Sequence, residues 1–276
     1  MYTLNCKGRL LMIEQPVVMG ILNITPDSFY AGSRLQEENA ILQKAGQMIN
    51  EGAAILDIGG QSTRPYSTRI STDVELQRVI PAIKSIRQQF PEIYISIDTY
   101  SAVVAKEAVQ AGADIVNDIS AGTMDTTMIE TVAALNVPFI AMHIQGTPDT
   151  MQQNPSYKNV TTEVMEYFIK KTEQLKQAGI KDVVIDPGFG FGKTIAHNFQ
   201  LLKQLEVFSM FHLPLLVGLS RKATIYKTLG ITSKEALNGS TVLNTIALTK
   251  GAFILRVHDV KEAKEAITLF TAMQQA

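Results

Sequence analysis

Eight short apolar runs, separated by longer stretches with helical periodicity, constrain the fold of this chain more than any other feature. The runs are residues 17–22, 53–58, 93–97, 114–119, 137–142, 182–185, 215–219 and 252–257. Their interiors are nearly continuous in valine, isoleucine and leucine, which is typical of parallel strands covered on both faces and not of a half-exposed antiparallel sheet. We therefore predict eight parallel strands.

The stretches between the runs are predicted to be amphipathic helices. Between the second and third runs, the apolar residues form one helical stripe at Leu76, Val79, Ile80, Ile83 and Ile86. Thr72 and Glu75 have the spacing of a capping box, which predicts that this helix begins near Thr72. Glycines that can end a helix in a left-handed conformation follow several stretches, at Gly52, Gly112, Gly179 and Gly251.

The repeated strand and helix indicate an α/β fold, and eight strands favour a (β/α)₈ barrel, the TIM barrel, over a doubly wound open sheet. Such barrels commonly occupy about 250 residues as one domain. The 276 residues contain no linker or composition break, so we expect residues 1–276 to form a single domain. Residues 1–13 can add a short hairpin that plugs the bottom of the barrel.

Charge and composition argue against several classes of function. The formal net charge is −1 and no run of lysine and arginine stands out, so nucleic acid is not expected as a partner. The single cysteine, Cys6, cannot form an intramolecular disulfide, and no cysteine and histidine cluster has zinc spacing, which suits a reducing cytosol. Residues 1–11 lack the apolar stretch of a signal peptide and no segment is uniformly apolar, so we expect a cytoplasmic protein with no membrane partner.

Polar residues stand at the carboxyl end of every predicted strand. They are Asn23, Asp57, Asp98, Asn117, His143, Asp186, Ser220 with Arg221, and Arg256 with His258. Loop composition accounts for some of them, but the set is complete and rich in carboxylates, amides and bases. Because the carboxyl ends of barrel strands open at one mouth, where barrel enzymes hold their active sites, we predict an active site there.

The sequences around these strand ends resemble one family along nearly the whole chain, from Val18 to Val260. They read NITPDSF (23–29), DIGGQSTRP (57–65), SIDT (96–99), NDIS (117–120), MHIQGTP (142–148), DPGFGFGK (186–193), GLSRK (218–222) and RVHDV (256–260). In order and approximate spacing they resemble the dihydropteroate synthase family. The resemblance implies a TIM-barrel transferase that joins 6-hydroxymethyl-7,8-dihydropterin diphosphate to 4-aminobenzoate and releases pyrophosphate. It also implies Mg²⁺ beside the diphosphate, a homodimer and sensitivity to sulfonamides.

The resemblance places the pterin on Asp98, Asn117, Asp186 and Lys222. The chemistry agrees, because the 2-amino group and the adjacent ring N–H of a pterin are paired donors that a carboxylate can accept together, whereas the ring acceptors need an amide or an ammonium. Without the resemblance, a cap on the helix that starts near Ser101 would explain Asp98 equally well.

The resemblance also implies ligands for the remaining parts of the reactants. The implied diphosphate ligands are Asn23, Thr63, Arg64, Arg256 and His258, with Asn23 also on the magnesium. The implied aminobenzoate ligands are Thr63, Arg64, Pro65, Phe191, Ser220, Lys222 and Ala223. The implied catalytic residues are Asp98, Asp186, Lys222, Arg256 and His258.

Two structural expectations accompany these roles. Arg256 and His258 stand two residues apart at one strand end, so both are expected to project to the same side. Residues 220–222 are expected to open a helix whose N–H groups meet the aminobenzoate carboxylate.

A nucleotide-binding P-loop at residues 188–194 is disfavoured, because Gly188 and Gly192 enclose three residues where that loop has four. A methyltetrahydrofolate-binding methyltransferase uses a related barrel, but it has no diphosphate for Arg256 and His258 to bind. A catalytically silent pterin-binding paralogue is disfavoured by the intact residues 23–29.

Some features of the implied reaction stay open on the sequence. Gln61, Tyr66 and Ala223 stand where Glu, Gly and Ser are common in the family, which leaves aminobenzoate affinity and sulfonamide response undecided. Both departure of the diphosphate before the amine attacks and direct displacement fit the residues.

Overall fold

A computed structural model describes residues 1–24, 34–62, 67 and 69–276, and of residues 34, 35 and 37 the backbone alone. The chain begins with an antiparallel hairpin of β1 (Tyr2–Cys6) and β2 (Arg9–Ile13). The predicted strands follow as β3 (Val17–Asn23), β4 (Ala53–Gly59), β5 (Tyr94–Asp98), β6 (Ile115–Asp118), β7 (Phe139–Met142), β8 (Val183–Asp186), β9 (Leu216–Val217) and β10 (Ile254–Val257).

The strands β3 to β10 are parallel and form one ring. Their order in the sheet is β8-β7-β6-β5-β4-β3-β10-β9. A bridge between Ile185 and Leu215 joins the two ends of this sheet. The barrel predicted from the eight apolar runs is therefore confirmed, and the open-sheet alternative is wrong.

Helices cover the outside of the ring. They are α1 (Arg34–Asn50), α2 (Thr72–Gln89), α3 (Ala102–Ala111), α4 (Met128–Leu135), α5 (Val160–Gln177), α6 (Ile195–Lys203), α7 (Ala223–Leu229), α8 (Leu237–Thr249) and α9 (Val260–Gln275), with 3₁₀ helices at Leu205–Phe211 and Ser233–Glu235. The glycines predicted to end helices, Gly52, Gly112, Gly179 and Gly251, all have positive φ, as expected. Within the described ranges, no helix is long and apolar enough to cross a membrane.

The start of α2 differs from the prediction. Its cap is Ser71, whose hydroxyl accepts a hydrogen bond from the N–H of Val74 at 3.3 Å. Glu75 is only 5% exposed and hydrogen-bonds Thr99, so its side chain packs inward and does not reach back to the cap. The capping box predicted from Thr72 and Glu75 is therefore wrong.

The hairpin closes the N-terminal end of the barrel, as expected for residues 1–13. Its buried side chains pack against inward-facing apolar side chains of the ring, and they are Leu4, Cys6, Leu11 and Ile13. Arg9 fastens the hairpin, since its guanidinium donates to Asp114 Oδ2 at 3.2 Å and to the carbonyl oxygen of Glu92 at 2.7 Å.

The inward-facing side chains change from apolar to polar along the strands. The layer nearest the hairpin is apolar, and it contains Met19, Ile55, Ile115, Ile140, Val184, Leu216 and Ile254. Side chains two residues apart on a strand point to the same side. The next inward layer is therefore Ile21, Asp57, Asn117, Met142, Asp186, Gly218 and Arg256. Most of its members are polar, and they meet inside the upper half of the barrel.

Candidate active site

A buried ion cluster joins three strands at the centre of the mouth. The guanidinium of Arg256 donates from Nε to Asp57 Oδ2 at 2.6 Å and from Nη2 to Asp98 Oδ2 at 2.6 Å. Burial by itself lowers the pKa of Arg256, but the two carboxylates outweigh it and the pKa is raised. Burial raises the pKa of Asp98 to about 7, with Arg256 opposing the shift and Asp57 adding to it.

Asn117 belongs to the same cluster. Its side-chain amide donates from Nδ2 to Asp57 Oδ2 at 3.1 Å. Within the described part of the chain, the other carboxylate oxygens, Asp57 Oδ1 and Asp98 Oδ1, are buried without a hydrogen-bond partner. Because buried acceptors normally have partners, these two oxygens can accept hydrogen bonds from a ligand.

Asp186 and Lys222 lie beside this cluster. The Asp186 carboxylate accepts a hydrogen bond at Oδ1 from the N–H of Gly188 at 2.8 Å. Burial raises the pKa of Asp186, and the Lys222 ammonium is the largest influence against that shift. Burial lowers the pKa of Lys222 to about 8, with Asp186 opposing. Lys222 donates to the carbonyl oxygen of Phe189 at 2.5 Å and lies 4.6 Å from the centre of the Phe191 ring.

An apolar wall adjoins these polar groups. It consists of the buried side chains Tyr100, Ile119, Met142, Met151 and Phe191, with Met124 and Ile144 packed against them. A planar heterocycle that bonds through its edge to carboxylate, amide and ammonium groups can place its faces on such a wall.

Ser220 and His258 form a second polar group at the mouth. The Ser220 hydroxyl lies 3.2 Å from His258 Nδ1 and accepts a hydrogen bond from the His258 N–H at 3.2 Å. His258 is exposed, whereas the side chain of Arg256 is only 16% exposed. The two residues therefore stand at different depths, Arg256 in the barrel and His258 on the rim.

Asn23 flanks the ion cluster at the end of β3. A Cβ atom placed on Gly59 would lie 3.5 Å from Asn23 Oδ1 and 3.6 Å from Asp98 Oδ2, so the amide and the carboxylate approach this glycine from two sides. No group of three His, Cys, Asp or Glu side chains within the described residues forms a metal site. Mg²⁺ does not require one, because it commonly binds one or two protein oxygens together with substrate phosphates and water.

Comparisons with known proteins cover the whole fold. The pterin binding enzyme family matches residues 19–258. The dihydropteroate synthase of Escherichia coli K12 is 45% identical over 272 residues, which cover 98% of this chain and 96% of that protein. The chain belongs to the dihydropteroate synthase family.

Solved structures of dihydropteroate synthases have the same fold. The Yersinia pestis enzyme in complex with a sulfonamide drug has a TM-score of 0.93 at 40% identity, with 100% of both chains covered. The Xanthomonas albilineans enzyme in complex with 7,8-dihydropteroate has a TM-score of 0.90 at 36% identity, again with 100% of both chains covered. A structure of the latter enzyme with 4-aminobenzoic acid has a TM-score of 0.93 at 38% identity, and covers 99% of this chain and 98% of that one.

The structure brings the residues predicted for the synthase site together in part. Asp98, Asn117, Asp186 and Lys222 lie in one connected region with Arg256, and Phe191 lies against Lys222. Asp98 does not cap α3, because the cap is Ser101, whose hydroxyl accepts from the N–H of Val104. Thr63, Arg64 and Pro65 lie outside the described residues, as do residues 25–29, so their roles stay predictions.

The backbone N–H groups of residues 221 and 222 are not free, although the sequence suggested free N–H groups at this helix start. The N–H of Arg221 donates to Ser240 Oγ at 3.0 Å, and that of Lys222 donates to the carbonyl oxygen of Leu219 at 3.2 Å. The helix α7 begins only at Ala223. Both amides are therefore used within the protein. Lys222 is nevertheless the N-cap of α7, as expected for residues that open this helix, and contact of the helix start with the aminobenzoate carboxylate stays a prediction.

Three buried polar residues near the mouth of the barrel received no role from the sequence. Asp57 accepts hydrogen bonds from both Arg256 and Asn117 in the ion cluster. His143 and Lys193 form a buried pair, with 2.9 Å between Lys193 Nζ and His143 Nδ1. Asp57 and His143 both appear among the polar strand ends, so that pattern contained the signal. Lys193 had no such signal, because its partners become neighbours only when β7 and β8 pair.

Proposed function

We propose that this protein condenses 6-hydroxymethyl-7,8-dihydropterin diphosphate with 4-aminobenzoate, giving 7,8-dihydropteroate and pyrophosphate. The observation that carries the proposal is a buried carboxylate, Asp186, on the inward layer of the barrel, with the partly buried ammonium of Lys222 reaching the same layer at Gly218, where a Cβ atom would lie 3.6 Å from Lys222 Nζ. This pair matches a pterin edge that offers two donors next to ring acceptors. The ligands of the X. albilineans enzyme, 4-aminobenzoic acid and 7,8-dihydropteroate, support the same substrates here.

The pterin ring is proposed to lie on Asp98, Asn117, Asp186 and Lys222. The Asp186 carboxylate accepts the 2-amino group and the ring N–H together, while its Oδ1 also accepts from the N–H of Gly188, and Lys222 donates to a ring acceptor. The apolar wall excludes water from the faces of the ring and strengthens these hydrogen bonds. Catalytic roles are proposed for Asp98, Asp186, Lys222, Arg256 and His258.

The diphosphate is proposed to lie toward Asn23, Arg256 and His258, with Thr63 and Arg64 closing over it. Charge on the departing pyrophosphate is stabilised by the guanidinium of Arg256, which the two carboxylates keep protonated. Bound Mg²⁺ supplies further charge stabilisation for the leaving group, and the side-chain oxygen of Asn23 is the protein ligand proposed for it.

The aminobenzoate is proposed to lie near Phe191, Ser220, Lys222 and Ala223, with Thr63, Arg64 and Pro65. The C–O bond from the pterin methylene to the diphosphate breaks, and the resulting cation is stabilised by the carboxylates of Asp98 and Asp186. The arylamine nitrogen then forms the new C–N bond and loses a proton to solvent. In this order the diphosphate leaves before the amine attacks.

The activity is tested by measuring pyrophosphate and dihydropteroate with purified protein, dihydropterin diphosphate, 4-aminobenzoate and MgCl₂. We expect both products in equal amounts, and no dihydropteroate without 4-aminobenzoate or without MgCl₂. Transfer of a methyl group from methyltetrahydrofolate in place of this reaction would overturn the proposal. Pterin binding without any turnover would instead identify a silent pterin-binding paralogue.

We also propose that the whole chain, residues 1–276, acts as one domain in the cytoplasm and pairs as a homodimer. The buried, unpaired Cys6 supports a reducing compartment. Exposed apolar side chains on α7, on α8 and on the 3₁₀ helix after α6 support a second copy as partner, and they are Val207, Met210, Leu229, Val242 and Ile246. Sedimentation at micromolar concentration should give twice the mass of the chain, and a monomer would exclude the pairing.

A further inference from the structure

The loop formed by residues 188–193, which follows β8, has each of its carbonyl oxygens bound by a side chain. The carbonyls of Gly188 and Phe191 accept from Lys193 at 3.0 and 3.1 Å, that of Phe189 from Lys222 at 2.5 Å, that of Gly190 from Gln152 at 2.7 Å, that of Gly192 from Tyr157 at 2.8 Å and that of Lys193 from Asn198 at 3.4 Å. A P-loop presents N–H groups to an anion. The 188–193 loop does the reverse, because it presents carbonyl oxygens to two ammonium groups.

The backbone of the 188–193 loop fits tightly against the segment after β7. Gly188, Gly190 and Gly192 have φ of 72°, 83° and 64°. A Cβ atom on Gly188 would lie 1.9 Å from the carbonyl oxygen of His143, and one on Gly192 would lie 2.4 Å from that of Gln145. Only glycine combines this conformation with so close an approach.

Lys193 lies inside this loop and is 2% exposed. An ammonium has three donors, and its nearest acceptors are three: the carbonyls of Gly188 and Phe191 and the ring nitrogen Nδ1 of His143 at 2.9 Å. Lys193 therefore joins two turns of its own loop to the end of β7.

The same loop carries three groups of the proposed pterin site. The N–H of Gly188 holds Asp186 Oδ1 at 2.8 Å, and the carbonyl of Phe189 holds the Lys222 ammonium. The ring of Phe191 lies against that ammonium. Lys193 binds the carbonyls of Gly188 and Phe191. Two of the three groups, the Gly188 N–H and the Phe191 ring, belong to these residues, and the third, the carbonyl of Phe189, belongs to the residue after Gly188.

We propose that Lys193 is a positioning residue, whose ammonium fixes the 188–193 loop and through it the orientation of Asp186, Lys222 and Phe191 toward the pterin. Lys193 does not itself contact the substrate. The inference rests on the proposed function, because the test of it measures the binding of a pterin.

Titration calorimetry with a dihydropterin that lacks the diphosphate tests this role. Lys193→Met keeps the length of the side chain and removes the ammonium, and we expect its dihydropterin Kd to rise by at least about tenfold. The matched control is Lys171→Met on α5, because Lys171 is also buried but its ammonium hydrogen-bonds Gln174 Oε1 at 2.8 Å. Its Kd should stay within about twofold of the wild-type value.

Chemical rescue adds a readout that a role in packing alone would not give. Lys193→Ala leaves space for propylammonium, which has the same atoms as the lysine side chain beyond Cβ. We expect propylammonium to restore dihydropterin binding in a saturable manner, and propan-1-ol, which has the same size without the charge, to restore none.

Wild-type affinity in Lys193→Met would overturn the proposal, and so would equal rescue by propan-1-ol. If neither Lys193 variant folds, as judged by circular dichroism, Lys193 is a folding residue and the positioning role is wrong. Failure of the wild-type protein to bind the dihydropterin would count against the proposed function and not against Lys193.

Discussion

The guanidinium of Arg256 donates a hydrogen bond to the carboxylate of Asp98, so a residue assigned to the diphosphate and a residue assigned to the pterin share one buried ion pair. Asp57 extends the pair to Asn117, because its Oδ2 accepts from both Arg256 and Asn117. The two ends of the substrate site are therefore connected through the protein. A substitution at one end of the site should therefore alter binding at the other end.

Removal of Arg256 should lower both stability and pterin affinity. Removing one partner of a buried ion pair lowers stability by about 3–5 kcal/mol, because the other charge is left buried without a partner. We expect Arg256→Ala to lower the free energy of unfolding in urea by this amount and to weaken binding of a pterin without diphosphate. The control is Lys261→Ala, since Lys261 lies 4.0 Å from Glu265 and the two side chains are 68% and 61% exposed, a setting in which a pair contributes about 1 kcal/mol or less. Equal losses in both variants would disagree with a buried cluster.

The raised pKa of Asp98 predicts a pH dependence of stability. Below about pH 4 the Asp98 carboxyl is protonated in both the folded and the unfolded chain, so it does not change the free energy of unfolding with pH. Between about pH 4 and pH 7 the folded protein binds more protons than the unfolded chain, because the folded pKa is about 7, so stability falls as the pH rises. Asp118, with a pKa raised by burial to about 6, acts in the same direction.

Asp98→Asn should remove part of this dependence. We expect the loss of unfolding free energy between about pH 5 and about pH 8 to be smaller in the variant than in the wild-type protein, with the remainder due to Asp118 and other groups. Urea denaturation at the two pH values measures the difference. An unchanged slope in Asp98→Asn would mean that this carboxyl is ionised throughout the range.

The sequence predicted the barrel because strand burial and helix periodicity are local properties. The polar strand ends also identified most of the site, since a parallel ring brings all carboxyl ends to one mouth. What the sequence did not contain is which of these side chains touch. Arg256 and Asp57 are 199 residues apart and meet only through closure of the ring. For the same reason, the sequence suggested separate pterin and diphosphate ends, whereas Arg256 connects them.

Ala223 gives a test of the aminobenzoate end. It is the first residue of α7 and follows Lys222 directly, and its methyl group cannot donate a hydrogen bond. A neutral hydrogen bond contributes about 0.5–1.5 kcal/mol net, so Ala223→Ser should lower the aminobenzoate KM by at most about tenfold and leave pterin affinity unchanged. Steady-state kinetics with each substrate varied in turn measures both. A larger effect on the pterin than on aminobenzoate would assign Ala223 to the other subsite.

Asp186→Asn tests the pterin end most directly, because the structure fixes how the new amide must turn. The N–H of Gly188 donates to Asp186 Oδ1, so the amide oxygen of the variant should keep this bond and its NH₂ group should take the place of Oδ2. That NH₂ group would then face the donors of the pterin. Hydrogen bonds to charged groups contribute about 1.5–3 kcal/mol, so we expect at least a ten- to hundred-fold rise in the Kd of the pterin with or without diphosphate.

The matched control for this variant is Asp118→Asn, which makes the same change at another buried strand end. Asp118 accepts hydrogen bonds from the backbone of Ser120 and Gly122 at 2.7 Å each, so its carboxylate serves the turn after β6 and not the pterin. We expect this variant to lose stability while its pterin Kd stays within about twofold. Calorimetric titration of both variants decides the matter: if Asp118→Asn lost the pterin as severely as Asp186→Asn, the effect would reflect loosening of the barrel and not the loss of a specific acceptor.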